Sequence, residues 1–404
     1  MAQNAQISLL SALRSFQYAA LMPLPASAFP LRTSGAKILG ADGAPVRLAG
    51  VNWGGGQQDE GVPYGLDKLP ASEIGDRIAA MGLNHVRLPF SVGSFLTSKG
   101  NPVTAPAPAA RTSANPAMTG LSPWQILQIL VNELTVNRVS QGKDPIYCIL
   151  NQHLLFPGWC CADEDNNGFW YNDNWGALTF LACWKMIASR FAGNPYVGYD
   201  LHNEPRKATI GGAVRTPTWG DGNGLTDFRL AYQVTIDKIR SSDPDALCFC
   251  EGLSYAGDLT GWKNAPVGRQ NTVASLHDYS WFHPAGQSQA AYEAQMDAKA
   301  GYLVTQDIVP LWAGEFGSNT DVPLASMRSG WLPRFIAWAA KRDLHWCWWE
   351  LSATAVKGTQ PATNKVKVQA GQREAFSLMA GQDWRGTQTD LLAMLAPVMP
   401  SLPG

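Results

Sequence analysis

The sequence predicts an α/β fold, a (β/α)8 TIM barrel with long βα loops and a short N-terminal hairpin. Two observations carry that reading. Eight short apolar runs with strand character alternate with helix-like segments over roughly 350 residues. Reactive polar side chains gather at the carboxyl ends of those runs, the face where parallel barrels collect their reacting groups. A chain of 404 residues is long enough for one such domain. No Gly-rich phosphate loop opens a helix, which places a doubly wound sheet second.

Taken in order, Ile38 to Leu48 reads as a hairpin with its turn at Asp42-Gly43, placed to cap the barrel bottom. The eight strands follow: Arg47 to Asn52, Asn84 to Pro89, Pro145 to His153, Tyr196 to Asn203, Ala246 to Glu251, Thr272 to Tyr279, Val309 to Glu315 and Leu344 to Trp349. Ala71 to Met81 and Leu178 to Phe191 carry helical spacing, and Thr387 to Leu395 reads as the eighth helix, stopped by Pro397. Ser94 to Pro123, rich in Ala, Pro, Thr and Ser, is expected as a long loop over the barrel mouth. The division is a leader over residues 1–36 and one catalytic domain over 37–404. In the leader, Ala26-Ser27-Ala28 has the small-x-small form of a signal-peptidase site, whereas Gln17, Pro23 and Pro25 interrupt the apolar stretch before it. The expectation is a secreted or extracytoplasmic protein.

The net charge of −1 gives no reason to expect nucleic acid or an anionic membrane as partner. No apolar run is long enough to span a bilayer. Sixteen Trp is a large number, and a flat indole face suits the C–H face of a pyranose. Trp53, Trp159, Trp170, Trp175, Trp219 and Trp281 lie in Gly-, Asn- or Pro-rich stretches, where core residues are less expected. Of seven Cys, Cys148, Cys248, Cys250 and Cys347 fall inside strand-like runs as core thiols, while Cys160-Cys161 stands apart in a loop. Without Cys-x-x-Cys spacing a structural zinc is not expected. Asp163 to Gly168 imitates half a calcium loop, but its twelfth position is Asn174, and an Asx-rich turn is the better reading.

Two glutamates dominate the chemistry. Glu204 in Leu201-His202-Asn203-Glu204-Pro205 and Glu315 in Trp312-Ala313-Gly314-Glu315-Phe316 each follow a buried strand. Two such carboxylates are what glycoside hydrolysis needs, one to protonate the leaving oxygen and one to attack or to activate water. Arg87 ends a strand among apolar neighbours and suits a charge-assisted fork to a carboxylate. His153 follows Asn151-Gln152 at another strand end. Asn203 precedes Glu204, and its amide suits a sugar hydroxyl. His277 and Tyr279, two apart, share a face, and a Tyr hydroxyl would orient a carboxylate nucleophile. Among Trp346, Trp348 and Trp349 at least one indole is expected as the sugar floor.

This strand-end set resembles glycoside hydrolase family 5, the retaining cellulase-type barrels, over about residues 37 to 400. Local phrases agree: Gly50-Val51-Asn52-Trp53, Gly82 to Phe90, Leu201 to Pro205, Thr218-Trp219-Gly220, Thr226 to Leu230 and Gln382-Asp383-Trp384. The resemblance implies Glu315 as nucleophile and Glu204 as acid/base, with Arg87, His153, Asn203, His277, Tyr279 and Trp349 around them, and Trp346 and Trp53 as further substrate contacts. It implies action on internal β-1,4 bonds of a β-glucan, with no metal or organic cofactor; the oligomeric state is left open, with a monomer as the expectation. Gly158-Trp159-Cys160-Cys161 departs from the common form and leaves mannan, xyloglucan or a glycolipid as alternative substrates. A carbohydrate-binding barrel is the second class, but it has no need of both glutamates. A carboxylesterase lacks its Gly-x-Ser-x-Gly elbow.

Overall fold

The structure is a computed structural model that describes residues 24–318, 324–353, 376–381 and 383–400. It opens with a small antiparallel sheet of β1 (Arg32–Ser34), β2 (Lys37–Leu39) and β3 (Pro45–Val46). Eight parallel strands then close into a barrel: β4 (Ala49–Asn52), β5 (His85–Ser91), β6 (Tyr147–Leu154), β7 (Val197–Asp200), β10 (Cys248–Glu251), β11 (Thr272–Tyr279), β12 (Leu311–Gly317) and β13 (His345–Trp348). Each coincides with one of the eight predicted runs. A hairpin of β8 (Ala208–Ile210) and β9 (Ala213–Arg215) sits on the loop after β7.

Helices cover the outside. That at Pro123–Leu134 shows why: Ser122 and Gln125 form a capping box at its start, and Ile126, Leu127, Leu130, Val131 and Leu134 make one buried stripe. The alternation has one gap. Between β10 and β11 the chain makes only a 3-10 turn, Thr260–Lys263, where Trp262 stacks on Trp219 at 5.4 Å in place of a helix. The segment 94–123 follows β5 as a long loop with two 3-10 turns, and within it Asn115 accepts from the Ala71 N–H while donating to Leu66 and Leu69, capping the helix Ala71–Ala80.

The barrel interior is layered by strand alternation. Its lower layer holds Tyr147, Ile149, Phe249, Val273, Trp312 and Cys347, closed from below by Leu24, Phe29, Leu31, Ile38 and Leu48. The hairpin therefore caps the bottom, as predicted. Leu24, Phe29 and Leu31 lie ahead of Lys37, where the fold was expected to begin. The small-residue motif Ala26–Ala28 is a 3-10 turn within this plug. Residues 1–23 and Gln382 lie outside the described residues. Among the described residues no helix is long and apolar enough to cross a membrane.

Candidate active site

Two positions further along each strand, the inward side chains become polar: Asn52, Arg87, Asn151, Asp200, Glu251 and His277 are all essentially buried. Arg87 organises them. Its Nε donates to Asp200 at 2.7 Å, Nη1 to Asn52 at 2.9 Å and to Glu315 at 2.5 Å, and Nη2 to Asn203 at 2.7 Å and Glu251 at 2.9 Å. A guanidinium has five N–H donors, and all five are used. Lysine could not replace this fork. Three carboxylates around one cation remain strongly coupled. Burial, with repulsion from Glu251, pushes the Asp200 carboxyl up to about 8 despite Arg87. For Glu251, burial is outweighed by His277 and Arg87, which hold its carboxyl below the ordinary value.

Glu315 reaches the interior through a bulge. Along β12, Trp312 points inward and Ala313 outward, so strict alternation would send Glu315 outward. The register slips by one residue there: Leu276 pairs with Ala313, but His277 pairs with Glu315. Gly314 is the extra residue, and a bulge of this kind re-aims the side chain after it. No other residue fits, since an added Cβ would stand 2.7 Å from Ser275 Oγ. Asn52 Nδ2 donates to the Gly314 carbonyl at 3.0 Å, satisfying the group that the bulge frees. Glu315 then accepts from Arg87 and, at 3.0 Å, from Tyr279 Oη. Burial raises the Glu315 carboxyl above its ordinary value, with His277 and Arg87 opposing.

Glu204 arrives differently. β7 ends at Asp200, and Glu204 adopts a left-handed φ of 51°. That conformation is uncommon for a residue with a Cβ and clusters at functional sites. Its own N–H is held by Glu251 Oε2 at 2.6 Å. The turn lets Asn203 and Glu204 both face the cleft although they are neighbours. His277 Nδ1 lies 2.9 Å from Glu204 Oε1 and 3.5 Å from Glu315 Oε2, while Nε2 is 3.3 Å from Glu251. Burial opposes a charge on His277, but Glu251 and Glu315 outweigh it and raise its pKa well above the ordinary value. One oxygen of Glu204, one of Glu315 and a His277 ring nitrogen all lie within 4.8 Å of one another.

These groups open into a cavity of about 540 Å³, walled by His153, Trp159, Cys160, Cys161, Tyr255, Tyr279, Trp281, Phe282, Trp349 and Phe376. His153 stacks on Trp349 at 5.6 Å, and its Nδ1 meets Asn151 Oδ1 at 2.8 Å. Burial and Arg87 depress its pKa, so the ring is neutral and Nδ1 donates. Of the predicted site residues, Glu204, Glu315, Arg87, His153, Asn203, His277, Tyr279 and Trp349 converge here. Trp53 and Trp346 do not. Both are fully buried on the outward face of their strands, with Trp53 Nε1 donating to Tyr64 and Trp346 Nε1 to Val398. Alternation explains both corrections: Asn52 and Cys347 point inward, so Trp53 and Trp346 cannot. The same rule favours Trp349, two residues beyond Cys347.

Asp200, Glu251, Asn52 and Asn151 were missed. Glu251 ends a predicted strand as Glu315 does, so the signal was present. In the acidic loop, Asp165 Oδ1 accepts from the Asn167 N–H at 2.8 Å, an Asx-type turn, while Asp165 pairs with Arg206 at 2.6 Å and Asp163 accepts from Tyr255 at 2.6 Å.

The profile described as cellulase (glycosyl hydrolase family 5) matches residues 39–355. The chain belongs to glycosyl hydrolase family 5. It is a glycoside hydrolase. It is 30% identical to an endoglucanase of Paenibacillus polymyxa over 343 residues, 79% of each chain. It is 28% identical to the major extracellular endoglucanase of Xanthomonas campestris over 58% of this chain and 43% of that one. The fold is similar to that of an endocellulase from Pyrococcus horikoshii solved in complex with cellotetraose, with a TM-score of 0.72 at 21% identity, covering 93% of this chain and all of the other.

Proposed function

We propose that this family 5 hydrolase is a retaining endo-β-1,4-glucanase with Glu315 as nucleophile and Glu204 as acid/base. The observation that carries the reading is the approach of the two carboxylates to within 4.8 Å. Retaining enzymes separate theirs by roughly 5–5.5 Å, whereas inverting ones leave room for a water. The hydrogen bonds divide the roles. Both Glu315 oxygens accept from fixed donors, Arg87 and Tyr279, which suits an ionised nucleophile. Burial keeps the Tyr279 hydroxyl protonated and therefore a donor. The Glu204 side chain contacts His277 Nδ1 at 2.9 Å and lines the cavity, which suits proton delivery.

In this mechanism Glu315 attacks the anomeric carbon while Glu204 protonates the departing oxygen. Glu204 then deprotonates the water that releases the sugar, and configuration is retained. Asn203 binds the 2-hydroxyl, and Trp349 floors the sugar. The relatives named endoglucanase and the cellotetraose complex of the endocellulase support a β-glucan cut internally. The extracellular relative supports export. Loop chemistry sets mannan and xyloglucan as the comparison substrates.

The test is hydrolysis of carboxymethylcellulose, β-mannan and xyloglucan by wild type, Glu204→Ala and Glu315→Gln. The expected result is wild-type activity on the cellulose derivative, reduced at least about 10³-fold by Glu315→Gln with unchanged melting. Near-normal activity of that variant would remove Glu315 from its role.

A further inference from the structure

Seven cysteines divide into two kinds. Cys148, Cys183, Cys248, Cys250 and Cys347 are buried free thiols. Cys160 and Cys161 are bonded to each other and stand in the cavity wall. Neither general packing nor the two-glutamate mechanism accounts for a disulfide between adjacent residues at that position.

Its contacts point to a role. Asn203 is committed at one end, with Oδ1 accepting from Arg87. Its Nδ2 must therefore face away from Arg87, and there it meets both sulfurs, each at 3.6 Å. A disulfide sulfur carries no hydrogen and accepts only weakly. It can steady the amide without consuming the donor that a sugar hydroxyl needs. Two thiols in its place would bring S–H groups and would have to move apart to ordinary non-bonded contact. His153 lies on the same wall, within 4.8 Å of both sulfurs by its nearest ring nitrogen, and it carries the stacked Trp349. The sulfurs thus complete a mostly apolar rim beside Glu204, and sulfur is polarisable and well suited to such surfaces.

We propose that the Cys160–Cys161 disulfide is a substrate-positioning element, holding the Asn203 amide and forming an apolar wall against the sugar bound beside Glu204. It rests on the glycan-cleaving reading of the cavity and adds a requirement for the oxidised pair. In reduction by a dithiol reagent, the S–S bond breaks, two electrons and two protons pass to Cys160 and Cys161, and the reagent closes to its own cyclic disulfide.

The experiment has three arms. Peptide mass mapping of the untreated, folded enzyme reads the bond directly and is expected to show the 160–161 peptide lacking two hydrogens. Kinetics on cello-oligosaccharides then compare wild type with and without dithiothreitol, Cys160→Ala/Cys161→Ala, and Asn203→Ala. Wild type is expected to lose about tenfold in kcat/KM on reduction, equivalent to about 1.4 kcal/mol, with its melting temperature unchanged. The double variant starts at the reduced level and ignores the reagent. On the Asn203→Ala background, loss of the disulfide costs less than it does in wild type, because only the wall contact is then left to lose. Binding of cellotetraose to Glu204→Gln by calorimetry, with and without dithiothreitol, gives the same comparison independent of turnover. Free thiols in the native enzyme overturn the proposal, as does an oxidised pair whose loss leaves kcat/KM and cellotetraose affinity unchanged. Binding without any hydrolysis by wild type would instead sink the endoglucanase reading and leave the wall intact. Absence of any glycan binding would overturn both.

Discussion

The two ends of the barrel use the same interior positions for opposite purposes. At the floor, Tyr147, Ile149, Phe249, Trp312 and Cys347 meet the plug of Leu24, Phe29 and Leu31, and its stability comes from apolar contact. One layer higher, Arg87 gathers Asp200, Glu251 and Glu315 in a site with almost no solvent contact. Buried ion pairs of this kind add little net stability over an apolar core, but breaking one leaves an uncompensated charge. The floor therefore tolerates loss of shape in proportion to the cavity made, whereas the layer above it depends on every partner. The difference is testable by injuring each end separately.

The largest effect is expected from Arg87→Met. It removes all five donors and leaves three acids without their cation, so a loss of about 3–5 kcal/mol in unfolding free energy is expected, together with near-complete loss of activity. Denaturant titration and a carboxymethylcellulose assay read both. A variant that keeps its stability while losing activity would mean that the carboxyls neutralise by taking up protons, and that the upper layer is more adaptable than its hydrogen bonds suggest.

Phe29→Ala injures the floor. Phe29 is buried between Tyr147, at 5.7 Å, and Tyr196, at 4.9 Å. A loss of about 3 kcal/mol is expected from the cavity created, with kcat unchanged for the folded fraction. A fall in kcat at full folding would show that the plug transmits strain to the layer above, and would weaken the separation between the ends.

Acid should separate them again. At the floor, burial pulls His85 and His345 down to about 3, and His202 outside the barrel behaves likewise. An unfolded histidine binds its proton near pH 6.5. The folded state then holds fewer protons than the unfolded one, so this contribution is complete above 6.5 and is lost as pH falls toward 3. Each histidine should remove about 2 kcal/mol by pH 5. His277 has the opposite sign. Its raised pKa contributes stability that is complete below 6.5 and is lost only as pH rises through its folded value. The expected observation is a melting temperature that falls steadily from pH 7 to pH 5. A flat profile would mean that the floor histidines accept charge in place.

The barrel was legible because its signals are local. Eight apolar runs between helical patterns suffice to define the strands, and alternation from Arg87, Asn151 or Cys347 assigns most inward residues. Where reading failed, the cause was a long-range or irregular feature. Nothing local marks Gly314 as a bulge, yet it decides which way Glu315 points. Trp53 reads as functional from its Gly-rich setting and Trp346 from its place in the last strand, but the pleat excludes both once Asn52 and Cys347 are placed inside. Glu251 carried the strand-end signal, but nothing local to it or to Asp200 marks a fork that exists only when four other strand ends meet on Arg87. The missing helix between β10 and β11 was hidden in the same way, because Trp262 and Trp219 fill its place from distant positions.

The smallest expected effect lies at the rim, which belongs to neither layer. Trp281 is 61% exposed, yet its ring is stacked on Tyr279 at 4.4 Å with 9° between the planes. A largely exposed indole held by rim aromatics (Tyr279, Phe282 and Phe376) contributes little to folding, and it lines the cavity. If it is a sugar platform, Trp281→Ala should leave melting unchanged and raise KM for cello-oligosaccharides several-fold, about 1 kcal/mol of binding. Its effect on kcat is the sharper readout, because Tyr279 donates to Glu315. A change confined to KM places Trp281 in substrate contact alone. A fall in kcat at constant KM would mean that the indole holds Tyr279 in position, and would extend the coupled upper layer out to the rim.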